Sequence, residues 1–199
     1  MELTTTDANS LLAIDHEIGK HNFSPAIYEI IRRVIYETAD FDYVSHLHLS
    51  DRALSAGAAA LAARSAIVVD VPFIQAAIAS QVQQTFANPV YYRLESHRSY
   101  GLATLAKRYP EAIFIIGREQ TALATFLNLI KQDEIQPAFA IITPPKFIHV
   151  DSIEKQLEVL ATPHIRVTGR KGSASVAVGI ANGLIDLAWQ VYSQEDMDN

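Results

Sequence analysis

A chain of 199 residues, 49% of them apolar and 19% charged, is long enough to bury a full core. Its 16 basic and 22 acidic side chains leave a net charge of −6, which argues against a general nucleic-acid or membrane-surface binder. The absence of cysteine excludes disulfides, thiolate nucleophiles and cysteine zinc sites.

Met1 to Asp7 is polar, without a basic-then-apolar leader pattern, and no uninterrupted apolar run approaches the ~18–20 residues of a membrane helix. A cytoplasmic protein is expected. Ser10 to Ile18 reads as a short helix. Ser24-Pro25 then starts a second, with serine as N-cap and proline in the first turn, and Ile27, Ile30, Ile31, Val34 and Ile35 follow at helical spacing. Ser50 is expected to cap a third, alanine-rich helix running to Arg64.

From there the pattern changes. Five short apolar runs read as strands: Ala66–Val71, Val90–Leu94, Ala112–Ile116, Phe139–Ile142 and Ile165–Val167. Helical segments separate them at Pro72–Gln83, Ser99–Arg108, Thr121–Lys131, Ser152–Leu160 and Ser173–Tyr192. The alternation predicts a three-layer α/β fold, with a mainly parallel five-stranded sheet and helices on both faces. One domain is expected, with a helical part over 1–64, βα units over 65–192 and a tail over 193–199. No repeat or linker is visible.

Parallel sheets bind ligands beyond the carboxyl ends of their strands. The segments that follow the five runs are Asp70-Val71-Pro72, Glu95-Ser96-His97-Arg98-Ser99, Gly117-Arg118-Glu119-Gln120-Thr121, Thr143-Pro144-Pro145-Lys146 and Thr168-Gly169-Arg170-Lys171-Gly172-Ser173. Four of the five carry Arg or Lys in an acidic protein, and each precedes a helix whose free N–H groups favour an anion. Such a cluster suits a ligand bearing several carboxylates or phosphates, although loops also carry charge simply because they are wet. The glycines of Gly169–Ser173 permit close backbone approach, but neither the Walker A spacing nor G-x-G-x-x-G occurs, so nucleotide binding has no motif behind it. His46 and His48 would share one face of a strand, yet no third ligand is identifiable, and no metal site is expected. No G-x-S-x-G elbow occurs.

Five stretches together resemble the precorrin-8X methylmutases. Arg32-Arg33-Val34-Ile35-Tyr36-Glu37-Thr38-Ala39-Asp40 is similar to R-x-V-I/V-H-A-T-G-D, and Ala66-Ile67-Val68-Val69-Asp70 to P-I-x-x-D. Arg98-Ser99 resembles the turn T-R-S-A-A. Gly117-Arg118-Glu119-Gln120-Thr121-Ala122-Leu123 resembles G-N-A-P-T-A-L, and Gly169-Arg170-Lys171-Gly172-Ser173-Ala174 resembles R-G-R-K-G-G-S. The resemblance covers nearly the whole chain. It implies a homodimer with active sites near the subunit interface. The implied reaction is a cofactor-free step of cobalamin biosynthesis that moves a methyl group from C11 to C12 of precorrin-8X or cobalt-precorrin-8. A flat tetrapyrrole edged with carboxylates wants an apolar floor and a cationic rim. The expected substrate contacts are Arg98, Ser99, Gly117, Arg118, Thr121, Lys146, Gly169, Arg170, Lys171, Gly172 and Ser173. Among the basic ones, Arg98, Arg170 and Lys171 match family positions, whereas Arg118 and Lys146 rest on the strand-end argument.

The pattern also departs from the family at motif positions. Tyr36 stands where the family motif has a histidine, to which protonation of the macrocycle is ascribed, and Ala39 and Ser173 replace glycines. Arg118 stands in place of asparagine, and Lys146 and Thr168 replace a glycine and an arginine. A phenol of pKa about 10 against an imidazolium near 6.5 amounts to about 5 kcal/mol less proton-donating power. A positioned tyrosine still donates a hydrogen bond, and neighbouring cations would lower its pKa. Tyr36 is therefore the expected catalytic position, with a packing role as the plain alternative. Three functional readings follow. They are a methylmutase, a non-catalytic tetrapyrrole-binding paralogue acting as carrier or regulator, and an unrelated α/β enzyme using the same turns for a nucleotide or small anion.

Overall fold

The computed structural model describes residues 5–92 and 98–195. Two helices open the chain, α1 (Thr5–Ile18) and α2 (Pro25–Thr38). The Ser24 hydroxyl accepts from the Ile27 amide at 3.4 Å, so the predicted cap forms. Ile31 and Ile35 of α2 pack on Leu11 and Ile14 of α1, while Ile30 and Val34 face the main core. The helix ends at Ala39, in left-handed backbone at φ 53°. An alanine bears a steric cost there that glycine does not.

Next come α3 (Tyr43–His46), β1 (Leu47–Leu49), α4 (Ala53–Ala62), β2 (Ile67–Val69), α5 (Pro72–Gln84), β3 (Val90–Tyr91) and α6 (Arg98–Arg108). They are followed by β4 (Ile113–Ile116), α7 (Gln120–Lys131), β5 (Phe139–Ile142), α8 (Val150–Glu158), β6 (His164–Val167) and α9 (Ala174–Glu195). The predicted α/β order holds, with two corrections. The sheet has six strands, not five, because β1 pairs antiparallel with β6 at the edge, inside the stretch expected to be helical. Ser50 does not cap α4: its hydroxyl accepts from the His164 amide at 2.8 Å, and Arg52 in left-handed backbone occupies the cap position. Strand β1 is three residues long, too short to show alternation, and Ser50 serves as its clasp to β6.

Strand order is β1-β6-β5-β4-β2-β3, parallel except for β1. Side chains alternate between faces. Ile67, Val69, Ile113, Ile115, Phe139, Ile141, Ile165 and Val167 meet α2, α4, α5 and α9. Val68, Phe114, Ile116, Ala140 and Ile142 meet α6, α7 and α8. Helix α9 is long and apolar enough to cross a membrane by length and composition, but it packs against α2, α4 and α5 as a core helix. The first residues of the expected 193–199 tail extend this helix, which runs to Glu195.

Strand β6 breaks the apolar rule on its α8 face, where His164 and Arg166 are 2% and 4% exposed. The Nδ1 of His164 lies 2.8 Å from the Thr162 carbonyl, so Nδ1 carries the proton and Nε2 is a buried acceptor without a hydrogen-bond partner. Burial, with Arg166 and the stacked His48 adding repulsion, pushes the His164 pKa down, although the Thr162 carbonyl opposes this. Burial and Arg166 lower His48 likewise. A histidine whose pKa is depressed by folding is protonated more readily in the unfolded chain, so stability is lost as pH falls through its unfolded value near 6.5. Denaturant titrations from pH 7.5 to 5.5 should show falling unfolding free energy, by at most about 1.4 kcal/mol per pH unit for each proton. His164→Asn should flatten that slope.

Candidate active site

Strand β2 connects outward to β3, and the chain then crosses back to place β4 on the other side of β2. Helices α5 and α6 accordingly lie on opposite faces of the sheet. The carboxyl ends of β2 and β4 therefore flank a topological switch point, where doubly wound sheets open a crevice. One side chain organises it. Asp70, 3% exposed at the end of β2, accepts the backbone N–H groups of Gly117 at 3.0 Å and of Arg118 and Glu119 at 2.8 Å. Burial raises its carboxyl pKa, and the three N–H groups pull it back.

The neighbouring turns are laced to this one. Gly117 has no room for a side chain: a Cβ would stand 2.6 Å from Ile74 and 3.1 Å from the Ala174 backbone, so its absence lets the start of α9 close on the β4–α7 turn. The Gln120 amide donates to the Ile148 carbonyl at 2.6 Å. The Thr143 hydroxyl donates to the Ser173 carbonyl at 2.9 Å, and the Lys146 amide to the Arg170 carbonyl at 3.2 Å. Gly172, at φ 143°, sits with its Cα so close beneath the Thr143 carbonyl that a Cβ would come within 2.2 Å of the oxygen. Ser173 accepts the Val176 amide on its hydroxyl and so starts α9.

The turns after β2, β4, β5 and β6 thus converge. An open depression of about 430 Å³ lies among them, lined by Val71, Pro72, Phe73, Arg118, Ser173, Ala174 and Ser175. Arg118 and Arg170 are exposed on this edge, and the Arg170 guanidinium donates to the Phe147 carbonyl at 3.3 Å. Phe73, 53% exposed, lines the depression with Arg118, and Phe147, whose carbonyl Arg170 binds, is 70% exposed; Ile148, 63% exposed, lines the neighbouring hollow between α7 and α8. Large apolar side chains next to arginines on one rim form a surface suited to a flat anionic ligand.

The other expected residues fall out differently. Lys146 is not a rim cation: its side chain is wholly buried, and it ion-pairs with Glu154 at 3.1 Å. The apolar run before it and the turn prolines gave no sign of this, because Glu154 comes from α8. Lys171 is part-exposed but held by Asp40 at 2.9 Å and by Asp42, which raises its pKa and lowers that of Asp40. Thr121 is exposed but lines a separate hollow of about 320 Å³ between α7 and α8. Gly169 takes left-handed backbone at φ 71° in open space. Arg98 and Ser99 begin α6, and their side chains lie outside the described residues. His46 and His48 join no group of three metal-ligating side chains among the described residues.

Tyr36 stands on the last turn of α2, 38% exposed. The Lys171–Asp40 ion pair ties that helix end to the β6–α9 turn. The Tyr36 hydroxyl donates to the Asp7 carboxylate at 2.6 Å, and this bond raises its pKa rather than lowering it as expected from nearby cations. Asp70, Gln120, Thr143 and the apolar trio were not singled out from sequence. Asp70 alone left a signal there, as a carboxylate closing an apolar strand within a family-like stretch.

The sequence profile of the precorrin-8X methylmutase family matches residues 6–187. The cobalt-precorrin-8 methylmutase of Synechocystis sp. is 35% identical over 204 aligned positions, covering 91% of this chain and 94% of the relative. That of Methanocaldococcus jannaschii is 30% identical, covering 80% and 79%. The crystal structure of precorrin-8X methyl mutase from Thermus thermophilus superposes with a TM-score of 0.85 at 29% identity, covering 94% of this chain and 96% of that one.

Asp70→Asn keeps the shape but turns one acceptor oxygen into a donor facing a backbone N–H. The loss of a charge-assisted bond should cost about 1–3 kcal/mol of unfolding free energy. Amide exchange should quicken at Gly117–Glu119 before it quickens in the strands.

Proposed function

The chain belongs to the precorrin-8X methylmutase family, and on that premise we propose that it shifts a methyl group from C11 to C12 of precorrin-8X or its cobalt counterpart, as an isomerase of cobalamin biosynthesis. The observation that carries this reading is the convergence of four strand-end turns into one rim, where Arg118 lines the depression with Phe73 and Arg170 binds the carbonyl of exposed Phe147. The macrocycle lies on the apolar side chains, and its peripheral carboxylates meet the guanidinium groups, with Arg98 and Ser99 added from the family resemblance. Arginine suits this task because its planar fork binds a carboxylate through two hydrogen bonds. Gly169, in open space, and Ser173, on the lining of the depression, bring backbone to the ligand, while Gly117 and Gly172 let the neighbouring turns close on one another and so shape the site.

An intramolecular methyl shift transfers no electrons to the protein and needs no added cofactor in this reading. The protein binds the ring, holds its conformation and supplies a proton donor where the π-system gains density. Tyr36 is the proposed donor. Its single O–H is engaged by Asp7, so the substrate must displace that carboxylate from the hydroxyl. The exposed apolar side chains on the rim also fit a homodimer in which a second copy completes the hollow. A cytoplasmic location goes with this reading, in which α9 remains the core helix.

The carrier or regulator alternative is not favoured, because the curated relatives bear the names of catalysts. Turnover separates the two. Purified protein mixed with precorrin-8X or cobalt-precorrin-8 should change the visible spectrum to that of the isomerised corrin, and binding without conversion would overturn the enzymatic assignment. Tyr36→Phe should lower kcat on the order of 100-fold with little change in KM, since it removes only a proton donor. An unchanged kcat assigns Tyr36 to the wall of the site.

A further inference from the structure

Lys146 carries a fully buried charge, an ammonium with 0% side-chain exposure, close to a turn expected to meet substrate. Burying such a charge is unfavourable unless all its protons find acceptors. Here three oxygens surround Nζ: it donates to the Val167 carbonyl at 2.6 Å and the Gly169 carbonyl at 3.3 Å, and it pairs by charge with Glu154 Oε1 at 3.1 Å. Two of the three belong to the end of β6 and the first residue of the Gly169–Ser173 turn. The backbone of Lys146 adds a further link by donating to the Arg170 carbonyl.

We propose that Lys146 is a positioning residue, a buried peg that fixes the Gly169–Ser173 turn and the Arg170 side chain in substrate-binding register without touching the ligand. Glu154 makes the peg tolerable by pairing with it, and Glu154 is shared with Arg166 on β6. Burial lowers the Lys146 pKa and Glu154 opposes this. Two cations share one carboxylate in this cluster, and the cost of burying the ammonium offsets much of what its contacts add, so it contributes little to global stability. The partial negative charge of two carbonyls converging at a bend compensates the excess of cation over carboxylate. A turn pegged in this way presents Arg170 from a fixed base, which lowers the entropy lost on binding an anionic edge.

The inference rests on the reading that this turn meets the corrin substrate, and its test separates the two. Lys146→Met removes the donor, keeps the volume and leaves Glu154 and Arg166 as a neutral pair. The variant should melt within a few degrees of wild type, and without ligand its amides over 168–172 should exchange at least about ten-fold faster. KM for precorrin-8X should rise about ten-fold or more while kcat stays within about three-fold. Lys146→Gln, whose amide can still donate to one carbonyl, should recover part of both the protection and the KM. It also serves as the probe if the methionine variant does not fold. Unchanged exchange in the turn, or a loosened turn with unchanged KM, overturns the inference. Absence of turnover by the wild-type protein overturns the functional reading instead, and the exchange measurement still tests the peg.

Discussion

The grip of one buried carboxylate on three successive backbone N–H groups sets the geometry of this site. Asp70 ends β2 at the point where the sheet changes winding direction, and it takes the amides of Gly117, Arg118 and Glu119 at the end of β4. Without an acceptor, those amides would be orphaned in a buried place. With it, the β4–α7 turn is fixed against β2, and the Arg118 side chain leaves from a fixed backbone. The strand order alone opens a crevice here, and Asp70 determines which atoms line it.

The same device recurs along the rim. Each strand-end turn borrows its rigidity from the next: Gln120 holds Ile148, Thr143 holds Ser173, and Lys146 holds Val167 and Gly169. Glycine enters where backbones must touch, at Gly117 against α9 and at Gly172 beneath the Thr143 carbonyl. The hydrogen bonds that order the rim are thus almost all side chain to backbone, and they leave the exposed surface to Arg118, Arg170 and large apolar groups. That division suits a family whose ligand is wide and flat, because a broad ligand needs several elements held in common register more than it needs any one strong contact.

Much of the fold was legible because alternation and helical spacing are local. All five apolar runs contain strands, and every predicted helix is present within a few residues. The exception is β1, whose Leu47–Leu49 is defined by pairing with a strand more than a hundred residues away. The site was legible only in part. Strand ends marked the rim, and Arg118 and Arg170 lie on it. The fate of the other basic residues depends on partners from distant elements. Lys146 meets Glu154 of α8, and Lys171 meets Asp40 and Asp42 beyond α2. A lysine in a wet-looking loop carries no local mark that separates a buried peg from a free cation. The family resemblance supplied what periodicity could not, namely the function.

The acidic balance of the chain sharpens this contrast between rim residues. A carboxylate-edged substrate is repelled by a protein of net charge −6 unless local cations are left unneutralised where it docks. Lys171, held by two aspartates, offers little net charge to an incoming anion, and its stronger effect is to hold the end of α2, and so Tyr36, beside the β6–α9 turn. Tyr36 meets the same constraint from the other side. Hydrogen-bonded to Asp7, it is a weaker acid than a free phenol, but an anionic substrate is repelled by that same carboxylate. If the ring binds as proposed, it favours parting Asp7 from Tyr36. In the proposed reading, the hydroxyl held by Asp7 in the free protein becomes available when the site fills. A histidine would need no such release. Under the proposed function, a tyrosine at this position couples donor availability to occupancy, with the Lys171–Asp40 link keeping the helix end in place while the hydroxyl changes partner.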